Sequence, residues 1–324
     1  MAIEWNGKRY HNLNYYLRNK FGEKVFKISL DGGFSCPNRD GTISKGGCIF
    51  CSPRGSGDFT IECDNLHQQF DEAKAMMMRK WKKGKFIGFF QAYTNTYAPA
   101  NVLREKYYSI IEKENVVGLA IATRPDCLPQ EVLDLLEELN KKTYLWVELG
   151  LQTINEDTAR LINRGYSLET YVNAVEELKK RNIEIVTHCI LGLPGETKAD
   201  MINTIDFVAN TDTQGIKLHL LHLMKDTSMI KLYEEGSLSL LEKEEYVDLV
   251  VDCVERLPKN MVIHRITGDG PKDTLIGPRW SLNKWEVLNA IDNKFIERDT
   301  WQGKYFVECI VESIKGEVDL GPWT

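Results

Sequence analysis

The chain repeats one pattern with little interruption: a short apolar run, then a stretch whose apolar residues recur at helical spacing. The runs fall near residues 25–30, 86–90, 116–122, 144–151, 183–191, 216–221 and 261–264. Most lack the polar alternation of a strand with one wet face, so they read as strands buried on both faces. Helices are predicted near 66–81, 102–111 and 129–140, the last with Val132, Leu135, Leu136 and Leu139 on one face behind Pro129 at a first helical position. Ser167 caps a helix carrying Leu168, Tyr171, Val172, Val175 and Leu178 inward. Thr197 with Asp200, and Ser239 with Glu242, each resemble a helix-opening capping box. This alternation predicts an α/β fold, a parallel sheet covered by helices, whose right-handed crossovers bring the C-terminal end of every strand to one rim. A closed or partly open βα barrel fits better than a flat doubly wound sheet, because no Gly-x-Gly-x-x-Gly turn follows the first strand. The barrel is placed at residues 24–270, behind an amphipathic lead-in helix within 1–23 and ahead of a C-terminal helical extension at 271–324.

The segment from Asp31 to Cys51, directly after the first apolar run, holds Cys36, Cys48 and Cys51 among five glycines. Glycines let a backbone wrap closely around an ion or cluster, and thiolates bind it. Three thiolates hold three irons of a 4Fe-4S cluster and leave the fourth iron open to a small ligand. In a βα barrel the active site lies at the C-terminal strand ends. There the sequence places this loop, then Gln91 to Thr96, Thr123 to Asp126, Glu148 and Gln152, His188 with Gly192 to Glu196, His219, His222 and Lys225, and finally His264 and Arg265. Each alone is weak, since a lone Glu148 in an apolar strand or a core histidine is commonly structural. Together they gather on one rim.

Composition narrows the setting. No run of about 18 apolar residues is present and the N-terminus lacks a secretory h-region, so a soluble, cytoplasmic protein with no membrane contact is expected. Eight cysteines in 324 residues, five of them scattered singly, do not form a disulfide framework; Cys63, Cys127, Cys189, Cys253 and Cys309 are expected not to bind the cluster. A net charge of -6 argues against a surface that coats nucleic acid generally, while leaving room for a local basic patch.

These residues together resemble the radical S-adenosylmethionine (SAM) enzymes. That superfamily's usual loop is Cys-x3-Cys-x2-Cys; here eleven residues separate Cys36 from Cys48, then the usual two precede Cys51. The expanded gap is similar to that in the radical domain of the Elongator catalytic subunit and its bacterial relatives. Further matches to that branch are Thr-Arg-Pro-Asp at 123–126, Glu-Leu-Gly-Leu-Gln at 148–152, Asn-Arg-Gly at 163–165 and Leu-Gly-Leu-Pro-Gly-Glu at 191–196. The resemblance spans roughly residues 24–270. Lys27 to Asp40, with the block from Ile276 to Lys284, resembles more narrowly the bacterial YhcC/YtqA group.

The resemblance implies a partial (βα)6-type radical SAM barrel with Cys36, Cys48 and Cys51 as catalytic cluster ligands. It implies reductive cleavage of SAM to a 5'-deoxyadenosyl radical, with electrons from a donor such as flavodoxin or ferredoxin. Phe50 would present backbone groups to the adenine, and the turn carrying Tyr93 and Asn95 would meet the methionine amino group. Glu148 would meet the ribose hydroxyls and Arg164 the carboxylate, while the backbone at Leu191 and Gly192 would close over the adenine. Thr123 and Gln152 complete the cofactor set. For the narrower group the implied substrate is tRNA, at the wobble uridine, whose 5-carboxymethylaminomethyl side chain would become 5-aminomethyl.

Asp126, Lys225, His264, Arg265, Arg279 and Lys284 are candidate substrate contacts. Arg279, Trp280, Lys284, Trp285, Arg298, Trp301 and Lys304 interleave cations with aromatics, as a surface for phosphates and unstacked bases does, or as a docked amphipathic helix does. Arg79, Lys80, Lys82, Lys83 and Lys85 form a second basic cluster that reads equally as a helix C-terminus. Two rival readings stay open. Cys36, Cys48, Cys51 and Cys63 have the spacing C-x11-C-x2-C-x11-C, which a structural zinc ion in a binding protein could use; or a radical enzyme could act on a small metabolite or a protein.

Overall fold

The computed structural model describes residues 5–58, 60, 61, 63, 65–268 and 270–308. Cys309 and the end of the expected C-terminal extension lie outside the described residues. In chain order the strands are β1 (Val25–Leu30), β2 (Lys85–Phe90), β3 (Val116–Thr123), β4 (Tyr144–Gln152), β5 (Glu184–Leu191), β6 (Gly215–Leu220), β7 (Leu223–Met224), β8 (Val262–Arg265) and β9 (Leu275–Gly277). The helices are α1 (Leu13–Phe21), α2 (Leu66–Met78), α3 (Ala100–Ile111), α4 (Gln130–Asn140), α5 (Glu156–Leu161), α6 (Leu168–Lys180), α7 (Lys198–Ala209), α8 (Ile230–Glu234), α9 (Lys243–Glu255) and α10 (Lys284–Glu297).

The order β1-β2-β3-β4-β5-β6-β8, with every neighbouring pair parallel, gives a curled half-barrel covered on its outside by helices. α4 shows why the helices dock. It presents Val132, Leu133, Leu135, Leu136 and Leu139 to the sheet, all buried, each contributing about 1.5–3 kcal/mol of transfer free energy. β7 and β9 pair antiparallel in a small ribbon beside the C-terminal rim, an element the apolar pattern did not announce because its strands are too short. α5 is likewise new. The capping box before α9 is shifted from the expected Ser239 and Glu242: Glu242 itself is the N-cap, and Glu245 completes the box.

β1 and β8 are the edges of the sheet, and α1 sits between them at the N-terminal end. His11 accepts a backbone hydrogen bond from Ile263 at 2.8 Å, extending β8 by one bridge at Asn12, and Asn12 caps α1. Leu17 then projects into the barrel interior among Val25, Ile87, Phe89, Ala120, Trp146 and Val186. The lead-in helix is thus a plug at the bottom of the half-barrel. At the other end of the chain α10 packs on α9, and Gln302 joins the termini by bonding His11 and Arg9.

Candidate active site

In a strand alternate residues face the same side. Phe89 and Gln91 at the C-terminal end of β2, Ala122 and Arg124 at that of β3, Glu148, Gly150 and Gln152 of β4, His188 and Ile190 of β5, and Lys217 and His219 of β6 all line one cavity of about 300 Å³, joined by Arg265 of β8. Below it the interior is filled by the apolar layer around Leu17. Above it one wall is made by Cys36, Cys48, Phe50 and Cys51, so the three thiols and the polar rim share a single space.

The cysteine loop is held from outside by the turn after α5. Asn38 is fully buried; its Nδ2 donates 2.7 Å to Asn163 O and 3.5 Å to Cys48 Sγ. Asn163 returns a bond from Nδ2 to Gly47 O at 2.8 Å, and Ile49 N donates to Ile162 O at 3.1 Å. Two glycines are required on steric grounds. Gly47, at φ +82, would place a Cβ 2.8 Å from the Arg39 side chain, and Gly55, at φ +56, would place one 2.3 Å from the Tyr93 ring. Arg39 in turn donates to Cys51 O at 2.9 Å and also to Ser52 O.

The donor set suits an iron-sulfur cluster. Burial first, then the neighbouring Cys51 and Cys36, push the Cys48 thiol up to about 12, and burial likewise raises Cys51. Cys48 and Cys51 therefore ionise together only with positive charge beside them, which a cluster of irons would supply. Cys63 is outside this group: its thiol bonds Gln68 at 3.2 Å and does not line the cavity.

Glu148 is the centre of the floor. Its side chain is fully buried and bonded on both oxygens, Oε1 by Trp146 Nε1 at 2.9 Å with Lys27 at 3.5 Å, and Oε2 by His188 Nε2 at 2.8 Å and by Lys217. Burial alone would keep the carboxyl protonated, but the ammonium groups of Lys217 and Lys27, with His188, outweigh it and hold Glu148 well below the usual carboxylate range. The Phe89 ring contacts both ammonium groups, with its centre 4.1 Å from Lys27 Nζ and 4.4 Å from Lys217 Nζ. Burial, then Lys217, keeps His188 neutral, with its pKa at about 4.

Of the residues singled out from sequence, Cys36, Cys48, Cys51, Phe50, Tyr93, Thr123, Glu148, Gln152 and Arg265 line the cavity. Others do not. Arg164 is fully buried behind the loop, with its guanidinium spent on Leu151 O at 2.9 Å, Thr153 O at 2.6 Å, Tyr166 O at 3.0 Å and Glu156 at 3.1 Å. The expectation that it meets a ligand carboxylate is therefore corrected: it is a buttress. Glu148, though in the lining, has no acceptor site left for ribose hydroxyls, since four donors already surround it. Asn95 is buried, donating to Ala122 O at 2.8 Å, and Gly192 faces Met201 instead of the cavity, with Leu191 buried beside it. Asp126 is gripped by Arg124 through two bonds of 2.7 and 2.9 Å.

His264 stacks edge-on against Trp146, at 5.3 Å between ring centres, off the cavity lining. Lys225 and Arg279 are exposed beside the β7–β9 ribbon, and Lys284 opens α10. The basic cluster from Arg79 to Lys83 precedes the N-terminal end of β2, on the rim opposite the cavity. Much of the C-terminal basic and aromatic segment is docked: Arg298 binds Asp248 and Asp252 of α9, and Trp280 donates to Leu241 O at 3.1 Å, while Trp285 stands 76% exposed. Sequence reasoning assigned no role to Lys27 and Lys217. Their one signal was a lysine at an inward position of an otherwise apolar strand.

Three similarities bear on this arrangement. Residues 39–208 match the family model of the radical SAM superfamily, and residues 213–297 match that of the radical SAM C-terminal domain. The chain is 56% identical over 307 residues to protein YtqA of Bacillus subtilis, covering 94% of this chain and 95% of that one. It is 39% identical over 277 residues to protein YhcC of Escherichia coli, covering 85% and 89% respectively. Among solved structures, the archaeal Methanocaldococcus infernus Elp3 lacking its N-terminus shares the fold, with a TM-score of 0.65 at 15% identity over 86% of this chain and 64% of that one. No described helix is long and apolar enough to cross a membrane.

Proposed function

This chain belongs to the radical SAM superfamily, and from that premise we propose that it modifies tRNA at the wobble uridine, taking the 5-carboxymethylaminomethyl side chain to 5-aminomethyl. Enzymes of this family use a 4Fe-4S cluster and SAM and draw on a one-electron reductant; a flavodoxin or ferredoxin is the donor proposed here. Cys36, Cys48 and Cys51 would hold the cluster. When bound, cluster and SAM supply a 5'-deoxyadenosyl radical able to take hydrogen from an unactivated carbon.

The chain's own residues do the rest. Phe50 and Tyr93 wall the space beside the thiols, and Thr123 and Gln152 offer hydrogen bonds at the strand ends, where SAM would be oriented. The layer around Leu17 and Trp146 closes the bottom of the barrel against water. On the ribbon side the cavity edge is formed by His222, Met224 and Pro271, flanked by exposed Lys225 and Arg279, which suits an entering polyanion.

The observation that carries the reading is the single cavity shared by the cysteine loop and a polar strand-end rim; the choice of tRNA rests on the motifs resembling the Elongator branch and the YhcC/YtqA group. The test is an anaerobic reaction of reconstituted protein with SAM, dithionite and bulk tRNA, followed by mass spectrometry of 5'-deoxyadenosine and of the nucleoside digest. We expect 5'-deoxyadenosine together with a wobble nucleoside lighter by the carboxymethyl group. Cluster-loaded protein that forms 5'-deoxyadenosine and leaves every tRNA nucleoside unchanged would sink the tRNA reading and turn the search to a small metabolite or a protein.

A further inference from the structure

Among the described residues, the floor of the cavity carries more positive than negative charge. Lys217 and Lys27 both bond Glu148, and Arg265 enters the same space from β8 without an ion-pair partner among the described residues. Two cations thus share one carboxylate, and Arg265, near enough to repel both lysines, is offset by none among the described residues. The histidines do not redress the balance, because burial and the surrounding cations hold His188 and His219 neutral. The other cations of the wall are engaged elsewhere, Arg124 with Asp126 and Arg39 with backbone carbonyls, and the second carboxylate of the lining, Asp58, bonds Ser52 at 2.8 Å.

Surplus charge on partly buried groups is costly unless a counter-charge joins it. At Lys217 burial lowers the pKa, Glu148 opposes this, and Lys27 and Arg265 add to the lowering. Nε2 of His219, also in the lining, is buried with no hydrogen-bond partner among the described residues. A guanidinium, an ammonium and a neutral imidazole around one small space are short of a planar, acceptor-rich anion. Guanidinium takes a carboxylate by two parallel bonds.

We infer that the floor is a receptor for a carboxylate of the substrate, gripped by Arg265 with Lys217 and His219 beside it. This rests on the tRNA reading only for the molecule that carries the carboxylate. The acid on the proposed side chain, lost in the reaction, is the group that distinguishes substrate from product, so a receptor for it selects the one and releases the other.

The experiment uses the cluster-loaded protein with SAM bound and two anticodon stem-loop oligonucleotides that differ only in the wobble side chain, one ending in the free acid and one in its primary amide. Acetate and acetamide are titrated in parallel, and SAM affinity is measured without substrate. The wild-type protein is expected to bind the acid roughly tenfold or more tightly than the amide, the scale of a charge-assisted bidentate bond. In Arg265→Gln the ratio should collapse to about threefold or less, and Arg265→Lys, which keeps the charge without the fork, should restore part of it. Equal binding of acid and amide, or a ratio undiminished in Arg265→Gln, overturns the receptor while leaving the tRNA reading intact. Loss of SAM affinity in Arg265→Gln with the ratio preserved overturns it too, and gives the floor to the carboxylate of SAM. If neither oligonucleotide binds, the tRNA reading fails, and the small probes decide: acetate binding that Arg265→Gln abolishes sustains the receptor, and equal responses to acetate and acetamide end it.

Discussion

Nε2 of His188 lies 2.8 Å from Oε2 of Glu148, between neighbouring parallel strands and inside the barrel. The same oxygen takes Lys217, so this carboxylate ties β4, β5 and β6 together, with Lys27 adding β1. Glu148→Gln keeps the shape and removes the charge, leaving buried Lys217 and half-buried Lys27 uncompensated. We expect a loss of about 3–5 kcal/mol in urea unfolding. A change below about 1 kcal/mol would show that the network contributes little to stability.

Replacing Cys36, Cys48 or Cys51 singly with Ala should abolish the absorbance near 400 nm and the iron of reconstituted protein, while circular dichroism stays that of the wild type, because the loop is also pinned by Asn38 and Asn163. Cys63→Ala should keep its iron. A cluster lost in Cys63→Ala, or zinc in place of iron in the wild type, would contradict this assignment.

Arg164 separates a buttress from a ligand contact. Its fork bonds three backbone carbonyls and Glu156 from a fully buried position. Arg164→Lys cannot reproduce that geometry and should lower stability by about 2–4 kcal/mol, with SAM affinity falling only in proportion to unfolding. A folded, stable variant with greatly weakened SAM binding would restore the ligand role.

Glu196 gives a pH signature. Burial, with Asp200 adding and the hydroxyl of Thr153 opposing, raises its pKa from 4.5 to about 7. Between those values the folded chain keeps a proton that the unfolded chain releases, so this group's contribution to stability falls as pH rises through that window and is level above it. Glu196→Gln should be more stable than wild type at pH 8 by about 1–2 kcal/mol, with the advantage shrinking toward pH 5. A difference between the two melting curves that does not vary with pH would refute the raised pKa.

The plug at the barrel bottom is testable at Leu17, which is 2% exposed. Leu17→Ala should cost about 2–4 kcal/mol through the cavity it leaves. If denaturation of the variant is indistinguishable from wild type, α1 is peripheral to the fold.

The sequence by itself determined the seven strands of the parallel sheet, most of the helices and the rim on which the cysteine loop meets the polar residues. Those follow from local signals: apolar runs, helical spacing, caps, and the alternation that obliges crossovers. Only the tertiary structure decided what each rim residue does. Arg164, after α5, and Glu148, in β4, both look like ligand contacts in sequence, yet one is walled off behind the loop and the other is saturated by four donors at the floor. Lys27 and Lys217 lie far apart in the chain, and it is the register of β1 and β6 in a curled sheet that sets them against one carboxylate of β4, with Arg265 of β8 in the same cavity. The basic cluster at Arg79 to Lys83 went to the opposite rim for the same reason: a strand has two ends, and charge alone does not say which. Periodicity fixes the face a residue occupies; which partners wait on that face depends on register across strands, a non-local quantity that no short window of sequence contains.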